Sequence, residues 1–385
     1  MNLLIFKYIR VGRLIFLLTL LTLSSTLFSI TCLSLLGFYS SFSSMLDVGG
    51  NVLTVYGRGS STPFTGLVPA QISNILSNVS GVLASSPEVL APCVLDGKPV
   101  FLRAVIPEYF LKIQPVKVVE GEMFEFSQLD SACVGFRLAK LMGLRVGERI
   151  LVQSILVDRY VELHVVGVIE SNSPLDDEIL APLYVGQWLR GSDYAHATLV
   201  RLKVDRSRLN ISKIYQVLGV EASSETLSTV TSILKPLPHT LAHFRVEDVG
   251  IEYAGSFMEG YLERYGLTKD TILALSMAVF LFSSASVIFA CETVLAQHSR
   301  ELEILKSLGA SRRLLKRDIM LKLMPLSFAA SLLGMLLAFS FIKLIQNHIL
   351  LLSHTIQFTL DTAAVALNFI LLLALIAFSV WKAEL

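Results

Sequence analysis

Three histidine and acidic side chains recur at a spacing that could hold a metal ion. His239, His243 and Glu247 occupy every fourth position, so a helix would place all three on one face. Pro236 and Pro238 come just before them and disfavour helix in that stretch. We therefore favour an exposed polar surface here and predict no metal site.

A run of three acids offers a second candidate for binding a cation. Asp176, Asp177 and Glu178 would supply the oxygen ligands that hard cations prefer. Three adjacent carboxylates are also typical of a solvated loop, because like charges separate best in water. The sequence therefore predicts an acidic surface loop at this point.

The sequence carries no motif for catalysis. It contains no H-E-x-x-H pattern and no convincing nucleophile–base arrangement. The phosphate-binding pattern G-x-x-x-x-G-K-[ST] is also absent, since Gly97 and Lys98 are followed by Pro99. We predict a chain that is not an enzyme and that binds no cofactor of its own.

The stretch HSRELEILKSLGASRR, His298 to Arg313, has the pattern of two short helices joined by a tight turn. Leu302, Leu305 and Leu308 recur on one side of the first helix. Gly309 occupies the position of a left-handed C-cap, and Ser311 is a good N-cap for a second, basic helix. The leucines can therefore pack on a neighbouring surface while the charges stay in water.

Long apolar windows on both sides of this stretch identify a membrane protein. Hydrophobic residues make up 53% of the chain, charged residues 16%, and the mean hydropathy is +0.65. The formal net charge of +1 gives no reason to expect nucleic acid as a partner. Four windows can cross a bilayer: Leu14 to Phe38, Thr271 to Ala296, Leu323 to Ile345 and Ala363 to Trp381. The first is too long for the apolar part of a signal peptide, so we interpret it as a retained anchor.

The basic residues set the orientation of these windows. Lys7, Arg10 and Arg13 precede the first span, whereas the stretch 347–362 contains no lysine or arginine. The loop between the second and third spans, 297–322, is strongly basic. Its members are Arg300, Lys306, Arg312, Arg313, Lys316, Arg317 and Lys322. This pattern predicts both termini and the basic loop inside, and residues 40–270 outside.

The outer segment, 40–270, is predicted to be a mixed α/β domain. Asp96-Gly97 between two apolar runs indicates a hairpin, and residues 157–159 indicate another. Gly143 is the predicted C-cap of a short helix. Residues Ile251 to Asp270 are predicted to form a stalk that enters the second span. The predicted strands begin at Val52, Ser131 and His196, and the predicted helices are PAQISNILSNV, RLAKLMGL, YVGQWLRG and ISKIYQVLG.

Cysteines and other polar residues raise further alternatives. Cys93 and Cys133 both fall outside, where a disulfide can form, and two separate buried thiols are the alternative. Asn78 and Asn210 begin outer glycosylation sequons, a pattern that often arises by chance.

Glu292, late in the second span, is expected at the inner interface near Arg300. Serines of the first two spans fit either a dimer contact or packing within one chain: Ser24, Ser25, Ser29, Ser283, Ser284 and Ser286.

The capped basic stretch and the outer segment together resemble the FtsX/MacB-type permeases of ABC transporters, a family of the mechanotransmission (type VII) class. The resemblance covers nearly the whole chain, and GFRLAKLMGLRVGERILV and VVGVIESNSPLDDEILAPL are similar to the family's outer domain. It implies four transmembrane helices with a large MacB-like α/β domain between the first two, bounded as 1–39, 40–270 and 271–385. It implies an ATPase-coupling loop that contains Arg300, Glu301, Leu302, Leu305, Lys306, Leu308, Gly309, Ala310 and Ser311. Family members often continue beyond the last span, whereas this sequence ends at WKAEL, so a tail contact with an ATPase is in doubt.

The resemblance also implies partners and a function. A separate cytoplasmic ATPase would hold ATP and Mg²⁺, and a second permease chain, identical or different, would complete the transporter. Membrane lipid and an outside protein are further expected partners. The expected function is a permease of the plasma membrane that turns ATP hydrolysis into conformational work on an outside substrate. The alternatives are a regulator of FtsX type that activates an outside partner without moving cargo, and a membrane-anchored binding protein, which would leave the coupling motif unexplained.

Overall fold

A computed structural model of the chain describes residues 11–47, 49–60, 64–218, 249–297, 303–304, 307–346 and 362–382. These residues fall into two compact units. The helical unit contains the described residues up to Phe38 and from Leu267 onward, and the sheet unit runs Tyr39–Gly266. The described helices are α1 (Val11–Ser43), α2 (Ile72–Ser77), α3 (Pro107–Ile113), α4 (Phe136–Met142), α5 (Leu183–Arg190), α6 (Ile211–Leu218), α7 (Ala254–Arg264), α8 (Lys269–Gln297), α9 (Arg312–Gln346) and α10 (Thr362–Lys382).

Four helices, α1, α8, α9 and α10, form the core of the helical unit. Each contributes leucine, isoleucine, valine or phenylalanine side chains to one buried cluster. The rings of Phe28 and Phe280 meet edge to face with their centroids 5.9 Å apart. Among the described residues, three helices are long and apolar enough to cross a membrane, through Ile15–Ser43, Lys269–Phe289 and Arg312–Leu344. The apolar part of α10, Ala366–Lys382, is shorter, so a fourth crossing stays a prediction.

Polar side chains tie α1 to the other helices of the same unit. The hydroxyls of Ser24 and Ser283 are 2.7 Å apart. The amide of Asn368 in α10 donates to Ser25 Oγ at 2.8 Å and to Ser29 Oγ at 3.2 Å. Hydrogen bonds of this kind join helices in lipid. Packing within one chain therefore gives partners to Ser24, Ser25, Ser29 and Ser283, and the dimer contact stays a prediction.

Gly334 of α9 provides a test of this packing. A Cβ atom at this position would lie 2.4 Å from Ser25 Oγ and 3.0 Å from the carbonyl oxygen of Thr22. We expect Gly334→Val to force α1 and α9 apart and to destabilise the chain by about 1–3 kcal/mol. The thermal midpoint of the detergent-solubilised protein would measure this. Gly260→Val in α7 is the matched control, because nothing lies within 4 Å of that glycine's Cβ direction. Equal midpoints for the two variants would contradict the close helix approach.

The described part of the sheet unit contains ten strands in one sheet, so the predicted mixed α/β domain is confirmed. Nine strands follow the order β12-β1-β11-β3-β4-β9-β6-β8-β5, and β7 pairs with β3 and β8. Most pairs are antiparallel, but β4 with β9 and β6 with β8 are parallel. The strands are β1 (Val52–Gly57), β2 (Val68–Pro69), β3 (Val82–Leu95), β4 (Lys98–Val105), β5 (Lys117–Gly121), β6 (Ser131–Gly135), β7 (Arg149–Ser154), β8 (Tyr160–Glu170), β9 (Glu178–Pro182), β10 (His196–Ala197), β11 (Leu199–Val204) and β12 (Val249–Tyr253).

Most of the turns that short sequence patterns predicted are present in the structure. Asp96 and Gly97 both have positive φ, 49° and 74°, and this backbone suits a two-residue hairpin between β3 and β4. Gly143 ends α4 in the left-handed conformation at φ 72°. The second predicted hairpin joins β7 to β8. The predicted stalk is corrected in part, because its first residues form β12 against β1 and helix begins only at Ala254.

Alternation along the strands gives the sheet two covered faces. Val89, Ala91 and Cys93 of β3 pack in the cluster that includes side chains of α4 and α5. We call this the first face. Glu88 and Leu90 point to the opposite, second face, where Leu90 packs with Ile113 of α3 and with residues of α7. The second face also carries the segment through which the chain leaves α1.

Candidate functional site

The predicted helix–turn–helix between the second and third spans is present where the structure describes it. Glu303 and Ile304 are helical, and Leu308 N–H donates to Ile304 O at 3.0 Å. Gly309 then turns the chain at φ 95°. Ser311 Oγ accepts from Leu314 N–H at 3.3 Å and so caps the start of α9. The remaining predicted coupling residues, Arg300, Glu301, Leu302, Leu305 and Lys306, lie outside the described residues.

This turn presents two apolar side chains to solvent. Ile304 and Leu308 are four residues apart and therefore share one helix face, and they are 59% and 78% exposed. Ala310, just after the turn, packs instead against the core of the helical unit. An exposed apolar pair on a short capped helix is suited to contact a second protein. The sequence-based list of coupling residues missed Ile304, although its spacing from Leu308 was visible.

Two polar contacts hold the helix ends near this turn together. Lys316 in the second turn of α9 donates to the carbonyl oxygen of Trp381 at 2.7 Å. That carbonyl belongs to the last turn of α10, whose final carbonyl groups lack partners within the helix. Lys382 forms a salt bridge of 3.0 Å with Glu292 of α8. Glu292 thus pairs with the last helix, and its expected neighbour Arg300 lies outside the described residues.

The two chain segments that join the sheet unit to the long helices pack on the same side of the sheet. Met45 and Leu46, just after α1, share one buried cluster with Ala254 and Met258 of α7. Phe42 stacks on Tyr261 with ring centroids 5.7 Å apart. The exit from α1 and the approach to α8 are therefore in contact with each other as well as with the sheet.

The predicted acidic surface loop is wrong. Asp176, Asp177 and Glu178 are all at least 97% buried, and each has a specific partner. Asp176 accepts from the backbone and hydroxyl of Ser171, at 2.5 and 2.8 Å. Asp177 pairs with Arg137 at 2.8 Å. The acids lie in a tight 3-10 turn and at the start of β9, where these partners take the place of water.

Glu178 belongs to a network of four buried charges on the second face of the sheet. Arg103 contacts Glu178 at 2.6 Å and Glu88 at 3.0 Å, and Arg201 contacts the other oxygen of Glu88 at 2.6 Å. None of the four side chains is more than 1% exposed. The network is electrically neutral, and every carboxylate in it faces a guanidinium. We call these four residues the charge network.

Burial and ion pairing act in opposite directions on the two arginines. Burial by itself lowers the pKa of Arg103, but the charges of Glu178 and Glu88 outweigh it and the net shift is upward. For Arg201, burial lowers the pKa, Glu88 opposes it, and the neighbouring charge of Arg103 adds to the lowering. Both guanidinium groups stay protonated at neutral pH because their reference pKa is so high.

The arginines of the charge network also bind the main chain that leaves α1. Arg103 Nη2 donates to Met45 O at 3.2 Å. Arg201 Nη1 donates to Leu46 O at 3.1 Å and to Gln114 Oε1 at 3.0 Å. The sequence-based predictions missed this network, although its signal was a charged residue inside each of the largely apolar stretches SSPEVLAP, VFLRAV and LVRLKV.

Cys93 and Cys133 are not bridged in this fold. Both thiols are free and buried, Cys93 on the first face of the sheet and Cys133 in a cluster on the second. The strand order β3-β4-β9-β6 also separates them by three strand spacings, about 14 Å, twice the reach of a disulfide. The structure therefore has the alternative arrangement, two separate buried thiols, and not the disulfide.

Both thiols should resist alkylation in the folded chain. Burial raises the pKa of Cys93 to about 12 and is the main cause that raises that of Cys133 to about 11, so little reactive thiolate forms at pH 8. We expect iodoacetamide to label neither residue in the native protein and both after denaturation without reductant. Peptide mass mapping would measure this labelling. If the denatured protein were labelled only after a reductant was added, the disulfide hypothesis would be supported again.

Among the residues that the structure describes, no three histidine, cysteine or acidic side chains come together as a metal site. His239, His243 and Glu247 lie outside the described residues, so their arrangement stays a sequence-based hypothesis.

Asn210 lies just before α6, and its side-chain oxygen accepts from Ser212 N–H at 3.0 Å, as a helix cap would.

Comparison with known families finds two matches that together cover most of the chain. The model of the MacB-like periplasmic core domain matches residues 16–228. The model of the FtsX-like permease C-terminal region matches residues 273–383. No curated protein matches the sequence.

Solved structures give more distant similarities. The periplasmic region of MacB from Actinobacillus actinomycetemcomitans is 12% identical, with a TM-score of 0.36 over 55% of this chain and 93% of that one. The extracellular domain of the noncanonic ABC-type transporter YknZ from Gram-positive bacteria is 15% identical, with a TM-score of 0.31 over 43% of this chain and 88% of that one.

Proposed function

Because this chain belongs to the FtsX/MacB-like family of ABC transporter permeases, we propose that it couples ATP hydrolysis by a separate ATPase to conformational work in its sheet unit. The exposed pair Ile304 and Leu308, on a capped turn between two apolar helices, is the observation that supports this coupling most directly. ATP and Mg²⁺ would be held by the ATPase. The chain itself would bind the ATPase and transmit its movement, and it would not catalyse the hydrolysis.

The contacts around the turn fit such a role. The Lys382–Glu292 salt bridge and the hydrogen bond from Lys316 to Trp381 link the ends of three long helices. A push on the turn would therefore act on α8, α9 and α10 together, because hydrogen-bonded helices move as rigid elements. Helix α8 is preceded by α7 with a short connection between them, so the chain itself provides a path into the sheet unit.

We further propose that the membrane is the plasma membrane, with both chain termini and the basic turn on the cytoplasmic side. The basic residues of the turn and the start of α9 favour this orientation. The sheet unit would then work outside, on a substrate or partner protein. A second permease chain, identical or different, would complete the assembly, and lipid would surround the exposed apolar side chains of the helical unit.

Affinity purification of the tagged chain from its native membranes, in mild detergent, tests this function. We expect an ATPase subunit to co-purify and to give vanadate-sensitive ATP turnover. A co-purified lipid or cargo would favour transport, whereas a co-purified outside enzyme whose activity depends on ATP would favour the regulator of FtsX type. Absence of any ATPase, even after crosslinking, would overturn the proposal in favour of a membrane-anchored binding protein.

A further inference from the structure

We infer that the charge network is the attachment through which the sheet unit follows movement of α1, an inference that rests on the proposed function. Its two arginines hold the carbonyl oxygens of Met45 and Leu46, two consecutive residues just beyond the end of α1 at Ser43. The network would thus act as a clamp on the chain that leaves the first span.

Stability alone is a poor explanation for such a network. Taking four charges out of water costs several kcal/mol for each ion, and apolar residues of similar volume often serve a protein core equally well. Glu88 pairs with both arginines and Glu178 pairs with Arg103. These ion pairs do not use all the N–H donors of the two guanidinium groups. One of these donors on each arginine, Arg103 Nη2 and Arg201 Nη1, binds a main-chain oxygen of the same segment, so the network orients both guanidinium groups toward it.

The position of this segment suits a cationic partner. The last carbonyl groups of a helix have no partners within the helix, and the helix dipole makes its C-terminal end negative. Met45 N–H still donates to Phe42 O at 3.2 Å, so the segment continues directly from the final turn of α1. Arginines placed just beyond this end bind the carbonyl oxygens of Met45 and Leu46 and complement the negative end of the helix dipole.

The clamp shortens the unanchored stretch of chain between the end of α1 and the sheet. Residues 44–51 separate Ser43 from β1, and eight extended residues could take up more than about 20 Å of movement before pulling on the strand. With Met45 held, one residue separates the helix end from the first fixed point. The side chains of Met45 and Leu46 are also buried against the sheet and α7, which holds the segment from its other side.

The network distributes a pull on this segment over the centre of the sheet. Arg201, Glu88, Arg103 and Glu178 lie on β11, β3, β4 and β9, which are four consecutive strands of the sheet order. A displacement of Met45 and Leu46 would therefore act on four strands at once. Attachment through β1 alone would load a single strand near the edge.

Two variants of the full chain test the clamp. The first replaces all four network residues with methionine (Glu88→Met, Arg103→Met, Glu178→Met and Arg201→Met), which removes the charges together and leaves none unpaired. The second, Arg201→Lys, keeps the charge but loses the forked geometry that reaches both Glu88 and Leu46. Arg149→Met is the control, because Arg149 forms an exposed pair with Glu162.

Hydrogen exchange without the ATPase is the first measurement. We expect amides of residues 44–51 to exchange at least about tenfold faster in the quadruple variant and to a smaller extent in Arg201→Lys, with the control unchanged. Exchange in β5 and β8, neither of which pairs with a strand of the charge network, reports that the fold is retained. Unchanged exchange at 44–51 in both variants overturns the clamp, as does a quadruple variant that unfolds while Arg201→Lys behaves as wild type.

The second measurement adds the co-purified ATPase and ATP. In the wild type we expect ATP to alter exchange in β3, β4 and β11, and we expect the variants to keep ATP turnover but lose that response. A full response in a folded quadruple variant overturns the clamp as a coupling element. A wild-type chain that shows no response to ATP overturns the proposed function instead, and the first measurement still decides whether the clamp exists.

Discussion

We expect aspartate at both Ile304 and Leu308 to release the proposed ATPase from this chain. Both side chains are exposed on one face of the short helix before Gly309, where they can enter a pocket on a partner. A charge introduced at the centre of an interface must be desolvated without a partner, and each such loss is worth about 2 kcal/mol or more. The two changes together should therefore cost about 4 kcal/mol and weaken binding by about 1,000-fold.

Co-purification and ATP turnover measure this loss. Because both residues are exposed, the double variant should insert and fold as the wild type does, with an unchanged thermal midpoint. Leu129→Asp is the matched control, since Leu129 is 69% exposed and lies in the sheet unit. ATPase recovery equal to that of the control would show that another surface makes the contact. Leu305, which the sequence places beside Leu308, is the next residue to change.

The sequence predicted well those features that are encoded over a few residues. Asp96-Gly97 specifies its hairpin because both residues tolerate positive φ, and Gly143 and Ser311 end and begin helices through their own backbone and side chain. The coupling turn is of the same kind. Its glycine and serine could be interpreted without any knowledge of distant contacts, and the structure has both in the predicted conformations.

Features that depend on distant pairing were not predictable in this way. Nothing near Arg103 in the chain indicates that β4 pairs in parallel with β9 and so brings Glu178 beside it, 75 positions later. The acidic run looked solvated because its partners, Arg103 and Arg137, come from other strands and helices. The two cysteines looked able to pair because sequence gives neither their sheet face nor the strands between them.

Loss of Arg103 should strongly destabilise the sheet unit. The Arg103→Met variant removes one cation and leaves the buried carboxylate of Glu178 without its only guanidinium among the described residues, while Glu88 keeps Arg201. An unpaired buried charge of this kind costs about 3–5 kcal/mol, far more than the intact pair contributes to stability. The exposed pair of Arg149 and Glu162, 3.5 Å apart, should by contrast contribute less than about 1 kcal/mol.

The free energy of opening at β3 and β4, from native-state hydrogen exchange of the full chain, measures this difference. It should fall in Arg103→Met and stay near the wild-type value in Arg149→Met. Adding Glu178→Met to Arg103→Met should restore part of the loss, because the second change removes the stranded charge rather than another contact. A double variant less stable than the single one would mean that hydrogen bonding, not charge, dominates. The network would then stabilise the sheet through Met45 and Leu46 more than through its ion pairs.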